Sequence, residues 1–349
     1  MNKKLSVLML AAALAAVALQ AQQPAPTPNA GSPATQPAQA PAAQPAPAPA
    51  AKPAQSPAAQ SADQSADTGG YTIPLKVNEV SLIFTVTKKN GEYVPNLKQS
   101  DFTLLDDQKA PTKVTSFHQQ INLPLRVGLV IDSSTSIRSR FEFEQQSATD
   151  FLLQILKAKS DRAFVMDFAQ TPTIDQDWTN NIDALESGVN RIRPGGGTAL
   201  FDAVYTACRD KLMEISRGQE PVRKAMVLIS DGEDNQSRVY LNEAIKECQR
   251  AETIIYAVST NWTPSRNKGD QALIQMAGDT GGQAFFPPSV EEMSKSFSAI
   301  EEELRSQYAL TYTPADFKED GSFRPIYLYC YDRRYLVRTR KGYFAPKPQ

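Results

Sequence analysis

Two hydrophobic periods organise this chain. In residues 71–122 and again in 306–349, apolar and polar positions alternate, the pattern of half-buried strands. Ser81 to Thr87 alternates and is rich in β-formers, and Asn90-Gly91 after it signals a hairpin. Val94 to Leu105 leads into a turn at Asp106-Asp107, and Val114 to Phe117 reads as a short strand. At the far end, Tyr308–Tyr312, Arg324–Tyr331 and Tyr335–Thr339 read as strands, with a turn at Glu319-Asp320-Gly321. These two ends are expected to pair into one small β unit, because the termini of a domain tend to lie close together.

Between them the period changes. Arg126–Ile131, Ala163–Phe168, Ala225–Ile229 and Thr253–Val258 are short apolar runs of the kind that form buried parallel strands. Phe141–Leu156, Asn181–Ile192, Ala199–Ile215, Leu241–Ala251, Gln271–Ala277 and Val290–Leu304 carry helical spacing. Thr171–Trp178 reads as a hairpin partner of the second run, and Gln283–Phe286 as a last short strand. The alternation predicts an α/β fold: a doubly wound, mostly parallel, Rossmann-like sheet with helices on both faces, flanked by the small β unit.

The first 70 residues follow neither period. Met1 to Ala21 has Lys3 and Lys4, then an apolar run from Leu5 to Leu19, then Ala16/Ala18 or Leu19/Ala21 as cleavage pairs. This is the pattern of a secretory signal peptide; an uncleaved anchor is the alternative. Residues 22–70 hold 11 of the 25 prolines, no aromatic residue, and only Lys52, Asp63 and Asp67 as charges. Such a segment buries too little apolar surface to offset its chain entropy and reads as a disordered, extended tether. The expected organisation is a signal peptide at 1–21, a linker at 22–70, an N-terminal β segment at 71–122, the α/β domain at 123–305 and a C-terminal β segment at 306–349. The chain is therefore expected to work outside the cytoplasm, in periplasm, envelope or medium, with no transmembrane segment in its mature form unless the signal is retained.

Charge and composition narrow the chemistry. A formal net charge of −1 gives no electrostatic footprint for nucleic acid. One histidine, His118, argues against His-based zinc sites and His-dependent triads, and it reads as structural. The three cysteines are Cys208, Cys248 and Cys330. A bridge between Cys208 and Cys248 is one reading, and buried thiols are the favoured one. Tyr327, Tyr329 and Tyr331 share a strand face and read as packing residues. The basic run Arg333, Arg334, Arg338, Arg340 and Lys341 is either an anion-binding stripe or a set of alternate exposed strand positions.

Three loops carry candidate chemistry. Asp132-Ser133-Ser134-Thr135-Ser136 follows the first central strand, Gly195-Gly196-Gly197-Thr198 precedes a helix, and Ser230-Asp231-Gly232-Glu233-Asp234 follows the strand MVLIS. All three fall where open α/β sheets place their ligands. No Lys-Ser or Lys-Thr follows the glycines, so they are not a P-loop. Two carboxylates and three hydroxyls form a hard oxygen set that suits Mg²⁺ first, with Ca²⁺ or Mn²⁺ as alternatives. Asp202 reads either as a second-layer partner of a site serine or as a helix N-terminal acid. Glu233 and Asp234 read as solvated loop charges.

The order D-x-S-x-S, a distant Thr and a distant Asp resembles the von Willebrand factor A domain and its metal-ion-dependent adhesion site. Asp132, Ser134, Ser136, Thr198 and Asp231 match that pattern without departure. The resemblance covers roughly residues 123–304. The flanking segments SLIFTVTKKNGEYVPNLKQSDFTLLDD, RSQYALTYTP and VRTRKGYFAP look like the related proteins of acidobacteria. What the resemblance implies is metal coordination by those five residues and a protein partner that donates a carboxylate to the cation. A scaffold role in an envelope assembly or maturation complex is the alternative. A metal-assisted hydrolase is weaker, since no general base and no G-x-S-x-G elbow is evident, and the chain is expected not to be an enzyme.

Overall fold

A computed structural model describes residues 78–121, 123–138, 141–217, 222–261 and 267–347. The expected signal peptide and linker lie outside the described residues. The first strand is β1 (Val80–Lys88), followed by the hairpin turn and then by β2 (Phe102–Asp106) and β3 (Lys113–Ile121). The central region runs β4 (Leu125–Asp132), α1 (Phe141–Ile155), β5 (Arg162–Phe168), β6 (Pro172–Thr179), α2 (Ile182–Arg191), α3 (Leu200–Thr206), β7 (Arg223–Ser230), α4 (Leu241–Arg250), β8 (Ile254–Ser259), α5 (Lys268–Thr280), β9 (Ala284–Phe285) and α6 (Val290–Arg305). It ends with β10 (Ser306–Thr313), β11 (Phe323–Cys330), β12 (Tyr335–Thr339) and β13 (Gly342–Phe344).

The central sheet has the order β6-β5-β4-β7-β8-β9. Every neighbouring pair is parallel except β5 and β6, which form the expected hairpin. All eight residues of β7 are buried, because helices cover both faces. One face packs Val127, Leu129, Val227 and Val258 against Phe151, Leu185, Phe297 and other residues of α1, α2 and α6. The opposite face packs Val130, Met166, Met226 and Leu228 against α3, α4 and α5. The alternation along each strand therefore feeds two cores rather than one core and solvent.

The two flanking segments do pair into a small β unit, made of two sheets: β12-β1-β10-β3 and β13-β11-β2. Leu82, Phe84, Tyr308 and Leu310 of the first meet Phe102, Leu104, Ile326 and Leu328 of the second in one apolar cluster. A polar link crosses this core. Asp106 accepts hydrogen bonds from Arg324 Nε at 2.9 Å, Tyr312 OH at 2.8 Å and Tyr343 OH at 2.9 Å. The arginine thus points inward, and Tyr327 and Tyr329 on the other face of β11, with Tyr331 just past its end, are exposed rather than packed. The expectation of a packing role for these tyrosines fails because Ile326 and Leu328 fill the core from alternate positions.

Three further departures have local causes. The helix expected through Ile215 is α-helical only to Thr206; Ala207–Leu212 is a wider π-helical turn, closed by the Met213 amide on the Cys208 carbonyl at 2.9 Å. That turn packs against α4, and Cys208 forms a disulfide with Cys248, their Cα atoms 5.0 Å apart. The expectation of buried thiols is corrected: both residues are fully buried, but in contact. Cys330 is free. The basic run is no stripe either, since Arg338 pairs with Glu303 at 2.9 Å, Arg340 with Glu252 at 2.9 Å and Lys341 with Asp279 at 2.5 Å. Among the described residues no helix is long and apolar enough to cross a membrane.

Closing a loop of this size with a disulfide restricts the unfolded chain by about 2–4 kcal/mol. Cys208→Ala/Cys248→Ala should lose that much in urea unfolding, and dithiothreitol should lower the wild-type midpoint while leaving the double variant unchanged.

Candidate functional site

The strand order fixes where a site can form. From β4 the chain winds outward to β5 and β6, then crosses back to β7 on the other side of β4. Beyond the carboxyl ends of β4 and β7 the loops diverge and leave a crevice. Asp132 closes β4, and Asp231 follows β7 directly.

Short hydrogen bonds organise this crevice. The Ser134 amide donates to Asp132 Oδ1 at 2.9 Å, folding the loop into an Asx turn. Ser230 Oγ, from the end of β7, donates to Asp132 Oδ2 at 2.7 Å. Ser134 Oγ lies 2.9 Å from Ser136 Oγ, and Ser136 Oγ donates to Asp231 Oδ2 at 3.0 Å. The remaining oxygen of Asp231 accepts from the Glu233 amide at 3.0 Å. Four of the five sequence-predicted residues, Asp132, Ser134, Ser136 and Asp231, are thus joined in one polar network.

Thr198 is brought in through its backbone. Its amide donates to Asn235 Oδ1 at 2.9 Å, and its carbonyl accepts from the Asn235 and Gln236 amides. The glycines before it clasp the first loop: Gly195 N–H donates to the Ser133 carbonyl at 2.7 Å, and Thr135 Oγ1 donates to the Gly196 carbonyl at 2.9 Å. Thr198 therefore sits on a loop tied to both aspartate loops, and it is buried with Asp132, Ser134 and Asp231, while Ser136 is exposed.

Burial pushes the Asp132 carboxyl up to about 6, and the charge of Asp231 adds to the rise, against the hydrogen bonds from Ser134 and Ser230 that hold it down. Negative charge is therefore costly here until something positive offsets it. Among the described residues no group of three or more His, Cys, Asp or Glu could hold a metal, so a cation in this crevice must draw on hydroxyl oxygens. Asp132, Ser134, Ser136, Thr198 and Asp231 supply that kind of set, hard and oxygen-only.

Other residues shape the crevice without belonging to it. Asp202, in the first turn of α3, bonds no site serine; its Oδ1 accepts from the Arg238 and Val239 amides at 2.9 and 3.0 Å. Asp234 is not merely solvated, since its Oδ1 accepts from Ser237 Oγ at 2.5 Å and from the Phe201 amide at 3.4 Å. Glu233 is exposed. Sequence reasoning missed the roles of Ser230, Asn235 and Ser133, whose Oγ donates to Asp167 Oδ2 at 2.5 Å. Ser230 and Ser133 each sit beside a motif aspartate, and that adjacency was the available signal. His118 lies on β3, opposite Ala309 of β10.

A family model for the von Willebrand factor type A domain matches residues 127–299, from β4 into α6. Those residues are a von Willebrand factor type A domain. A "UPF0353 protein" of Mycolicibacterium vanbaalenii is 24% identical over 202 residues, covering 51% of this chain and 60% of that protein. Its namesake in Mycolicibacterium gilvum is 23% identical with the same coverage. The chain thus spans about 60% of the length of these curated relatives. Among solved structures, mussel byssus proximal thread matrix protein 1 with a zinc-occupied MIDAS motif matches at TM-score 0.45 and 16% identity, covering 57% of this chain and 50% of that one. BatB from Bacteroides thetaiotaomicron matches at TM-score 0.42 and 16% identity, covering 51% and 98%. A domains generally mediate protein–protein interaction. The matched segment of this A domain leaves out the strands of both flanking sheets, β1 to β3 and β10 to β13.

Gly232 is the steric hinge of the third loop. Its φ is +82°, and a Cβ there would lie 2.3 Å from the Gly269 carbonyl oxygen. Gly232→Ala should cost the A domain more than about 2 kcal/mol in thermal or urea unfolding, whereas Gly→Ala at a position of ordinary φ stabilises by about 0.4–1 kcal/mol.

Proposed function

We propose that the A domain binds a divalent cation through Asp132, Ser134, Ser136, Thr198 and Asp231, and that the cation takes up an acidic side chain of a partner protein. The observation that carries this reading is the run of oxygens from Ser134 Oγ through Ser136 Oγ to Asp231 Oδ2, with spacings of 2.9 and 3.0 Å, beside the buried Asp132. With two aspartates as the only anionic donors and neutral hydroxyls for the rest, the charge of a bound divalent ion is balanced but not exceeded, so the ion stays electrophilic and can accept a further carboxylate. Mg²⁺ is the preferred ion, with Ca²⁺ and Mn²⁺ as alternatives. The protein's part is to hold the three loops in place: Ser230 orients Asp132, the Gly195–Gly197 segment clasps the first loop, and Asn235 ties Thr198 to the third.

The role is binding rather than turnover, exercised outside the cytoplasm. The N-terminal sequence of Lys3, Lys4 and the apolar run supports export, and so does the Cys208–Cys248 disulfide, a bond characteristic of oxidising compartments.

Two measurements test the reading. Mg²⁺ or Mn²⁺ at about 100 times its Kd should stabilise the protein by ~2.7 kcal/mol. Asp132→Ala and Asp231→Ala should abolish that gain. In a pull-down from the native envelope, EDTA should release the partner. If Asp132→Ala loses stability yet retains the partner in EDTA, the cation is a structural brace and the scaffold role replaces the adhesive one.

A further inference from the structure

The central sheet buries an acid at the carboxyl end of β4 and a base at the amino end of β7. Arg223 opens β7 and is 1% exposed, the bulkiest fully buried side chain among the described residues. Ala225, Val227 and Ile229 enter the core under α1, α2 and α6, and a period of two puts Arg223 on the same side. There its Nη1 donates to the Leu304 carbonyl at the end of α6. Its Nε and Nη2 have no hydrogen-bond partner. Those two N–H groups share one edge of the guanidinium and make the fork with which arginine holds an anion at two points.

No carboxylate meets this charge. The groups that act on the guanidinium are the Tyr256 and Tyr93 phenols, which favour its charge, and Arg305, which opposes it. The buried acids of this region serve other bases: Asp161 pairs with Arg305 at 2.6 Å and Glu303 with Arg338 at 2.9 Å. Tyr256 in turn leans on Glu303, so its hydroxyl is not counted as a donor here. Gln307, on the strand that follows Leu304, is fully buried with neither side-chain oxygen nor nitrogen bonded. Burial pushes Arg223 down to about 10, so it stays ionised at neutral pH. A guanidinium out of water without a counter-charge is costly, and arginine does not escape by losing its proton. Water on the fork would satisfy the two N–H groups but leave the charge unbalanced.

The space fixes the size of a counter-ion. Arg223 borders a cavity of about 70 Å³, room for a small ion and for no extended ligand. The other charged residues around it are Lys224, Arg340 and Glu252, and Glu252 is taken by Arg340 at 2.9 Å. We infer that Arg223 holds a small monovalent anion of chloride size on its Nε and Nη2 fork, as a buried counter-ion of the A domain. The ion is independent of the cation crevice at the opposite ends of the strands.

Urea unfolding of the full chain, in EDTA and at constant ionic strength, is followed as chloride replaces the bulky monovalent anion gluconate. Chloride should stabilise with a Kd of about 10 mM or tighter. Above that Kd each tenfold rise in chloride should raise the folding constant close to tenfold, and bromide should replace chloride. Arg223→Met should abolish the dependence, and Arg223→Lys, which keeps the charge without the fork, should weaken it. If Arg223→Met does not fold, a wild-type crystal soaked in bromide decides by anomalous scattering, with a peak in contact with both Nε and Nη2 expected. Stability indifferent to the exchange of gluconate for chloride overturns the assignment. So does an undiminished chloride response in Arg223→Met, or a fork without anomalous signal, which would leave it to water.

Discussion

The structure is organised around a carboxylate that it buries at a seam. Asp132 ends the strand from which the sheet winds in both directions, and it is fully buried without a basic partner among its bonded neighbours. Its charge is met by a serine hydroxyl from the adjacent strand and by a backbone amide from its own loop. Hydrogen bonds to a charged acceptor are worth about 1.5–3 kcal/mol each, enough to hold both loops to one geometry. Everything else at that end follows from it. The glycine loop clasps the first loop, and the asparagine of the third loop reaches back to the second.

The fold was largely legible because its central strands are apolar runs too short for helices, and its helices carry their own period. What stayed hidden depends on partners distant in sequence. β3 extends through His118 and Gln119, polar residues that an edge strand tolerates because it pairs on one side only, with β10. A period of two assigns Tyr327 and Tyr329 to one face of β11 but does not say which face is wet; Asp106 decides that by taking Arg324 inside. Likewise Arg338, Arg340 and Lys341 form a basic run only on paper, each neutralised by an acid far away in sequence.

The site was legible at the level of residue types and order. Hydroxyls and carboxylates at strand ends have few other reasons to recur in three loops. The supporting residues were not, since a serine next to an aspartate carries no mark of which of the two faces the crevice. Ser230 and Asp231 are neighbours with opposite tasks: one orients Asp132 and the other joins the network through Ser136. The disulfide was obscured for a related reason. Forty residues separate its cysteines, and only the packing of the π-helical turn on α4 brings them together.

That disulfide also has a mechanical meaning. The α3 helix begins two residues after Thr198, and α4 follows the loop that carries Asp231. Cys208, in the turn that extends α3, is covalently bonded to Cys248 in α4. A tension applied at the mouth of the crevice pulls on both loops, and the cross-link makes the two helices behind them share the load. Peeling either loop from the sheet then requires moving both helices, so the bond turns two separately weak handles into one stiff mount.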